Sequence, residues 1–302
     1  MSKDNINPNP EKRASRFKRP PPIPMHLTER DEAIITRCWE DKFLSTSDLH
    51  TLFFGALARC VHRLRMLYSN HYLDRHFVPT AIPYRGATQA RYTIGTKGVS
   101  IVSLRMGQEQ NYVALKRRQF NTRIPSPSFL LTFRHLQTIN ATRIDFEKAF
   151  MALDDWQLVG WTPERLLEDH FTISTEGHVR RTKIRADGYF QYHHSPTAKI
   201  YSAFVEVDLG TMSHQQIMAK VQRYLYYFQT ELPLRKYGTQ WFRVLFITTS
   251  FKRANRLWHT ISKLTNSIFW LTSFDEIKKP DWLKRDIWLR VGREGRYPLV
   301  GE

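Results

Sequence analysis

Hydrophobic positions downstream of residue 26 recur at helical spacing in three short blocks. Thr28 with Asp31, and Ser45 with Asp48, have the spacing of capping boxes, which mark helix N-termini. A third helix is predicted over about residues 56–69, directly after a glycine. The positions expected to face inward are Ile34, Ile35, Cys38 and Trp39 in the first helix, Leu49, Leu52 and Phe53 in the second, and Leu57, Cys60, Leu64, Leu67 and Tyr68 in the third.

The segment that follows these helices alternates polar and apolar side chains between residues 72 and 103. The alternation is clearest over residues 91–94 and 99–104, which predicts two strands of a β-wing. Three short helices followed by such a wing are typical of a winged helix-turn-helix DNA-binding domain.

The free side of the third helix carries basic residues, and no Asp or Glu occurs between Thr51 and Leu73. Together with two residues of the predicted wing, they form the candidate DNA-contacting set of Arg59, His62, Arg63, Arg65, Arg91 and Lys97. Most charged helix faces are only solvated, and that alternative stays open. The agreement of helix order, wing and charge favours DNA binding.

The N-terminal segment combines prolines with five basic residues between Lys12 and Arg19, which predicts a disordered basic arm over residues 1–26. We expect the winged helix-turn-helix domain to occupy residues 27–132 and a second domain to occupy residues 133–302. The arm either follows DNA phosphates or is a solvated tail.

The second domain has the pattern of an α+β fold, a mixed sheet flanked by helices. Its elements are predicted in the order αβββαβαβ. They are a helix at 140–153, strands at 156–161, 189–193 and 199–208, a helix at 213–230, a strand at 242–248, a helix at 252–264 and a strand at 268–272.

Charge narrows the class of partner. The 302 residues include 46 Lys and Arg against 28 Asp and Glu, a formal charge of +18. Such an excess indicates a polyanion, and we expect double-stranded DNA, since no long basic amphipathic helix suited to a membrane surface is visible. No apolar run reaches the roughly 18 residues of a membrane span, and the basic N-terminus does not resemble a secretory signal. With two cysteines and no disulfide framework, a cytoplasmic protein is expected.

Acidic residues cluster at the predicted strands of the second domain. Glu206 and Asp208 are two positions apart on one strand and so share a face, and Asp187 opens a neighbouring strand. Three converging carboxylates suit Mg²⁺, with Glu147 as a further donor, and such an ion could activate water for phosphodiester cleavage. Alternatively, Asp208 favours a helix N-terminus and Asp187 belongs to a turn.

Several stretches resemble the replication-relaxation family of plasmids and integrative elements, over about residues 27–300. They are Leu27 to Asp31, Arg63 to Arg65 with Leu73 to Arg75, Tyr92 to Gly95, His135 and Leu136 with Asn140, Ala186 to Tyr189, and Phe204 to Thr211. The resemblance implies a winged helix followed by a domain similar to the restriction-endonuclease, or PD-(D/E)XK, fold. It also implies that the family includes, or is closely related to, relaxases that nick a plasmid origin.

The chain departs from the PD-(D/E)XK motif at two positions. Ala186 replaces the motif proline, and Asp208 replaces the motif lysine. We expect Lys220, or else Arg223, on the following helix to supply the missing positive charge.

Two function hypotheses follow. The first is a sequence-specific duplex-binding protein of a mobile element with a degenerate nuclease-like domain, acting alone or with other replication or mobilisation proteins. The second is a Mg²⁺-dependent nicking enzyme or relaxase that uses Asp187, Glu206 and Asp208 with Lys220. A nucleophilic tyrosine at 226 or 227 and a metal site at His193 and His194 are weaker alternatives, because helix aromatics usually pack and adjacent strand residues face opposite ways.

Overall fold

The computed structural model describes residues 18–78, 89–117, 127–175 and 178–301, and it divides the chain into two compact units, residues 1–125 and 126–302. The described elements of unit 1 are α1 (Glu29–Glu40), β1 (Leu44–Ser45), α2 (Thr46–Phe53), α3 (Leu57–Ser69), β2 (Leu73–His76), β3 (Arg91–Ile94), α4 (Gly98–Met106) and α5 (Gln110–Arg117). Both predicted capping boxes are confirmed, at the starts of α1 and α2.

The strands of unit 1 form a small antiparallel sheet in the order β1–β3–β2. Helices α1, α2 and α3 pack around fully buried side chains such as Ile34, Trp39 and Leu64. The predicted connection between β2 and β3 includes residues 79–88, which lie outside the described residues.

The predicted second wing strand at 99–104 is wrong, because these residues belong to α4. Gly98 explains how this helix packs: a Cβ there would lie 2.7 Å from the carbonyl oxygen of Tyr72 and 2.9 Å from Cγ2 of Ile35. The close approach lets α4 lie against α1, with Val102 fully buried. Contacts distant in sequence therefore decided a segment whose short apolar pattern fits either structure.

Residues 18–26 of the predicted arm pack against the rest of unit 1, which corrects the expectation of disorder for that part. Arg19 donates to Asp74 at 2.6 Å and lies over the ring of Tyr68, 4.1 Å from its centroid. The side chain of Asn70 donates to the carbonyl oxygen of Ile23 at 2.7 Å. Residues 1–17 lie outside the described residues.

Unit 2 is a mixed α+β structure. Its elements are α6 (Pro127–Met151), β4 (Trp156–Pro163), β5 (Glu168–Thr175), β6 (His178–Arg185), β7 (Gly188–His194), β8 (Lys199–Asp208), α7 (His214–Gln229), α8 (Leu232–Tyr237), β9 (Arg243–Thr248), α9 (Phe251–Ile261), β10 (Phe269–Ser273) and β11 (Leu289–Arg290). Every predicted element is present, but α6 begins before the expected boundary at residues 132 and 133. The antiparallel pair β5–β6, the short helix α8 and the short strand β11 were not predicted.

A six-stranded sheet in the order β11–β10–β9–β8–β7–β4 forms the centre of unit 2. Strands β8, β9 and β10 are parallel, whereas β4, β7 and β11 pair antiparallel with their neighbours. Hydrophobic cores cover both faces, one with α6 and one with α7 and α9. Because side chains alternate along β8, Val205 and Val207 face the first core while Glu206 and Asp208 face the second side.

Within the described residues, no helix combines the length and the apolar character needed to cross a membrane.

Candidate functional site

A buried carboxylate lies at the centre of unit 2. Glu206 on β8 is fully buried, and it accepts hydrogen bonds from two residues of α7. The hydroxyl of Tyr224 donates to Oε1 at 2.5 Å, and the ammonium of Lys220 forms a salt bridge with Oε2. These donors lie four positions apart on α7 and so share one face of the helix. The ring of Tyr224 packs in the core beside α7, so only its hydroxyl reaches the carboxylate.

Asp187 lies next to this carboxylate, just before β7. Its Oδ2 accepts a 2.8 Å hydrogen bond from the backbone N–H of Val207, and its own N–H donates to the carbonyl oxygen of Val205 at 3.1 Å. Gly188, the next residue, allows the indole of Trp161 to approach, since a Cβ there would lie 2.5 Å from that ring. Asp187 is therefore fixed by the backbone of β8 and by close packing around Gly188.

His135 on α6 completes this group. Its Nε2 lies 2.8 Å from the carbonyl oxygen of Val207 and 3.6 Å from Oδ2 of Asp187. We call His135, Asp187, Glu206 and Lys220 the acid–lysine cluster. The motif acids and the replacement lysine expected from the sequence are thus brought together, whereas His135 had been noted only as part of a sequence stretch.

The charges of the cluster are strongly perturbed. Burial, with a smaller contribution from the nearby Asp187, raises the pKa of Glu206 to about 7 against the opposing effect of Lys220. Burial alone would lower the pKa of Lys220, but the negative charges of Glu206 and Asp187 outweigh it and raise that pKa. Lys220 is therefore held as the cation of the cluster.

Asp208 does not join the cluster, which corrects the expected three-carboxylate arrangement. It accepts a 2.7 Å hydrogen bond from the hydroxyl of Thr248, and it forms a salt bridge with Arg253 at the start of α9. The N–H of Gly210 donates to its other oxygen at 3.1 Å. This ion pair could not be predicted from the sequence, because Arg253 lies 45 positions away on another element.

The donor set does not fit the Mg²⁺ ion that the motif implies. Lys220 and Tyr224 occupy the two oxygens of Glu206, and Arg253 neutralises Asp208. Glu147, the expected additional donor, bonds to Arg143 at 2.9 Å. In the part of the chain that the structure describes, no three His, Cys, Asp or Glu side chains are grouped so as to hold a metal ion.

A cleft of about 380 Å³ lies beside the acid–lysine cluster. His135 and Lys220 line it, together with Arg134, Thr132 and Thr211. Asp208 and four apolar residues, Leu131, Val207, Leu209 and Met212, complete the lining, so the cleft is largely apolar and carries charged groups of both signs.

In unit 1, the candidate surface is the exposed face of α3. Arg59, His62 and Arg65 are exposed there as predicted, and neither arginine is paired with a carboxylate among the described residues. Val61 on the same face is 50% exposed, and Leu57 is 54% exposed although it had been predicted to face inward. The face therefore combines positive charge with aliphatic side chains. We call these five residues the α3 face.

Arg63 does not belong to the α3 face, contrary to expectation. Its Nε donates to Asp31 on α1 at 2.8 Å, and a terminal nitrogen donates to the carbonyl oxygen of His26 at 2.7 Å. Arg91 on β3 is half-buried and lies 3.5 Å from a carboxylate oxygen of Asp48, whereas Lys97 is exposed. Of the six residues predicted to contact DNA, four are exposed: Arg59, His62, Arg65 and Lys97.

The weaker alternatives for chemistry find little support in their surroundings. Tyr227 is fully buried and its hydroxyl donates to Asp169 at 2.6 Å, while Tyr226 is half-buried beside another cleft. His194 stacks on Trp156 with ring centroids 4.2 Å apart.

The fold and these sites define a two-unit α+β protein with a basic helix face in one unit and a buried acid–lysine cluster in the other. Comparison with known protein families matches residues 38–241 to the replication-relaxation family. The chain therefore belongs to the replication-relaxation family, and this membership indicates a role in the replication or relaxation of plasmids or mobile elements. No curated protein and no solved structure matches the chain.

Proposed function

We propose that the chain is a sequence-specific double-stranded DNA-binding protein of a plasmid or mobile element and that unit 1 is a winged helix-turn-helix domain. The order α1–β1–α2–α3–β2–β3, with the sheet order β1–β3–β2, supports this assignment. In such a domain, α3 is the helix that enters the major groove.

The α3 face is the observation that carries the proposal. Arg59, His62 and Arg65 bind phosphates or the acceptor atoms of guanine. Leu57 and Val61 offer the aliphatic contacts that thymine methyl groups need, which a merely solvated face does not require. Positive charge gives affinity, and the apolar pair adds the means to distinguish bases.

Unit 2, in this proposal, is a nuclease-like domain that has lost its metal site. Two acids and a lysine are retained as a closed, hydrogen-bonded cluster, and Asp208 stabilises the junction of β8, β9 and α9 through Arg253. The alternative of a Mg²⁺-dependent nicking enzyme has less support, because it needs Glu206 and Asp208 to leave their present partners.

The test compares two double variants on duplex DNA from the replicon that encodes the protein. Arg59→Ala/Arg65→Ala removes two charges from the α3 face, and Lys252→Ala/Arg256→Ala removes two exposed charges from α9 as a matched control. We expect the first variant to lose about tenfold in duplex affinity at moderate salt and to show a flatter salt dependence, since about two phosphate contacts are lost. Equal losses in both variants would refute the assignment to α3.

A further inference from the structure

Another cleft, which is basic, lies in unit 2 between the β5–β6 pair and α7. Its volume is about 350 Å³. Arg180 and Thr182 line one side from β6, with Ile173 from β5. Gln222, Arg223 and Tyr226 line the other side from α7. It is separate from the cleft beside the acid–lysine cluster, since none of these residues contributes to that lining.

Strand alternation explains why this cleft is basic. Arg180 pairs in register with Ile173, and the same face of the two strands carries Phe171 and Ile184, which are buried in the core. Because side chains alternate along a strand, Arg180 points with them toward α7, while Arg181 points to the opposite face.

The two guanidinium groups of the cleft are available to a ligand. Neither Arg180 nor Arg223 forms an ion pair with any residue that the structure describes, and no carboxylate lines the cleft. Among the residues that the structure describes, Arg223 donates from Nε to the carbonyl oxygen of Ala219, at 3.2 Å, and its terminal nitrogens remain as donors. Two arginines with donors to spare suit a phosphate group.

The rest of the lining suits a nucleobase. Tyr226 is half-buried and provides an aromatic ring, Ile173 provides an aliphatic surface, and Gln222 provides an amide that can both donate and accept. The cleft volume of about 350 Å³ is near the lower end of the range for small-molecule sites, which begins at about 300 Å³. This volume matches one nucleotide rather than a duplex. A paired base in a duplex cannot reach such a ring, whereas an unstacked base can.

We propose that this cleft binds one nucleotide unit of single-stranded DNA, with its phosphate between Arg180 and Arg223 and its base against Tyr226. Lys220 lies one turn before Arg223 on α7, so a strand held here runs next to the acid–lysine cluster. The inference is independent of duplex binding by the α3 face.

The test measures binding of a fluorescein-labelled oligothymidylate of about 12 nucleotides to the full-length protein. Arg180→Gln/Arg223→Gln should lower the affinity about tenfold, and Tyr226→Leu should lower it several-fold, since stacking on an aromatic side chain is lost. Arg181→Gln, which removes one positive charge from the opposite face of β6, should change the affinity less than about twofold. Circular dichroism and duplex affinity should be unchanged in every variant.

A second measurement does not depend on the variants folding. An oligonucleotide containing 5-bromodeoxyuridine should crosslink to a peptide from α7 on irradiation. Crosslinks found only outside α7 and the β5–β6 pair would overturn the proposal, as would equal losses in Arg181→Gln and the double variant. Inorganic phosphate that displaced the oligonucleotide at micromolar concentration would also overturn it, because the site would then select a free anion.

Discussion

Arg63 on α3 forms a salt bridge with the fully buried carboxylate of Asp31 on α1. Asp31 also completes the capping box of α1 by accepting hydrogen bonds from Thr28, so one carboxylate links the start of α1 to the middle of α3. Arg63, one of the residues predicted to contact DNA, therefore fixes the orientation of α3.

This geometry predicts that Arg63 acts on stability. Arg63→Ala leaves a buried negative charge without its partner and should cost about 3 kcal/mol of unfolding free energy. Arg65→Ala, on the same helix but exposed, should cost less than about 0.5 kcal/mol and serves as the control. Urea denaturation followed by circular dichroism measures both values, and similar costs for the two variants would show that the salt bridge contributes nothing.

The acid–lysine cluster predicts a titration in the neutral range. Glu206 has a raised pKa of about 7 because it is buried, so the folded chain takes up a proton that the unfolded chain releases near pH 4.3. The sign follows from linkage: this group favours the folded state fully below the unfolded pKa, and that contribution declines as pH rises to about 7. Carbon-detected NMR should show a Glu carboxyl titrating near neutrality that disappears in Glu206→Gln. A carboxyl titrating near its ordinary pKa would contradict the account.

The donor geometry predicts that unit 2 does not cut DNA. Supercoiled DNA containing the replication origin of the parent element should stay intact across Mg²⁺ and Mn²⁺ titrations, because Asp208 and Glu206 are held by Arg253 and Lys220. Agarose gels that resolve nicked circles measure this, with a chelator as the reference. Nicking that requires the metal and is lost in Glu206→Gln would establish the enzyme hypothesis instead.

The N-terminal segment predicts different results for two truncations. Deleting residues 1–17 removes basic residues such as Lys12 and Arg16, and should lower specific and non-specific duplex affinity by similar factors. Deleting residues 1–26 also removes Arg19 and its contacts with Asp74 and Tyr68, so it should lower the melting temperature as well. Equal melting temperatures for the two truncations would show that the ordered part contributes no stability.

Local features of the fold were predictable from the sequence, and contacts between distant elements were not. The capping boxes at Thr28 and Ser45, and the shared face of Glu206 and Asp208, depend on spacings of two or three residues. The salt bridge between Arg63 and Asp31, by contrast, depends on how α3 packs against α1. The β5–β6 pair was missed although Phe171 and Ile173 alternate with polar residues, because its outer face is strongly charged.

The sites follow the same division. The sequence identified Asp187, Glu206 and Lys220 as a group, because the first two match a motif and the third lies on the next helix. Helical spacing alone predicted that Leu57 lies in the core. In the structure Leu57, the first residue of α3, is exposed, as is Val61. Only the packing of α3 shows which of its hydrophobic residues are left for a partner.

The central claim, sequence-specific duplex binding through the α3 face, is tested most directly by selecting bound duplexes from a random library and measuring the affinity of the best sequence against a scrambled one. The account predicts one enriched motif that is bound at least about a thousandfold more tightly than the scrambled duplex at physiological salt. It also predicts that Leu57→Ala/Val61→Ala reduces this ratio with little change in binding to the scrambled duplex. A ratio near one, or a ratio that the substitutions leave unchanged, would contradict the claim.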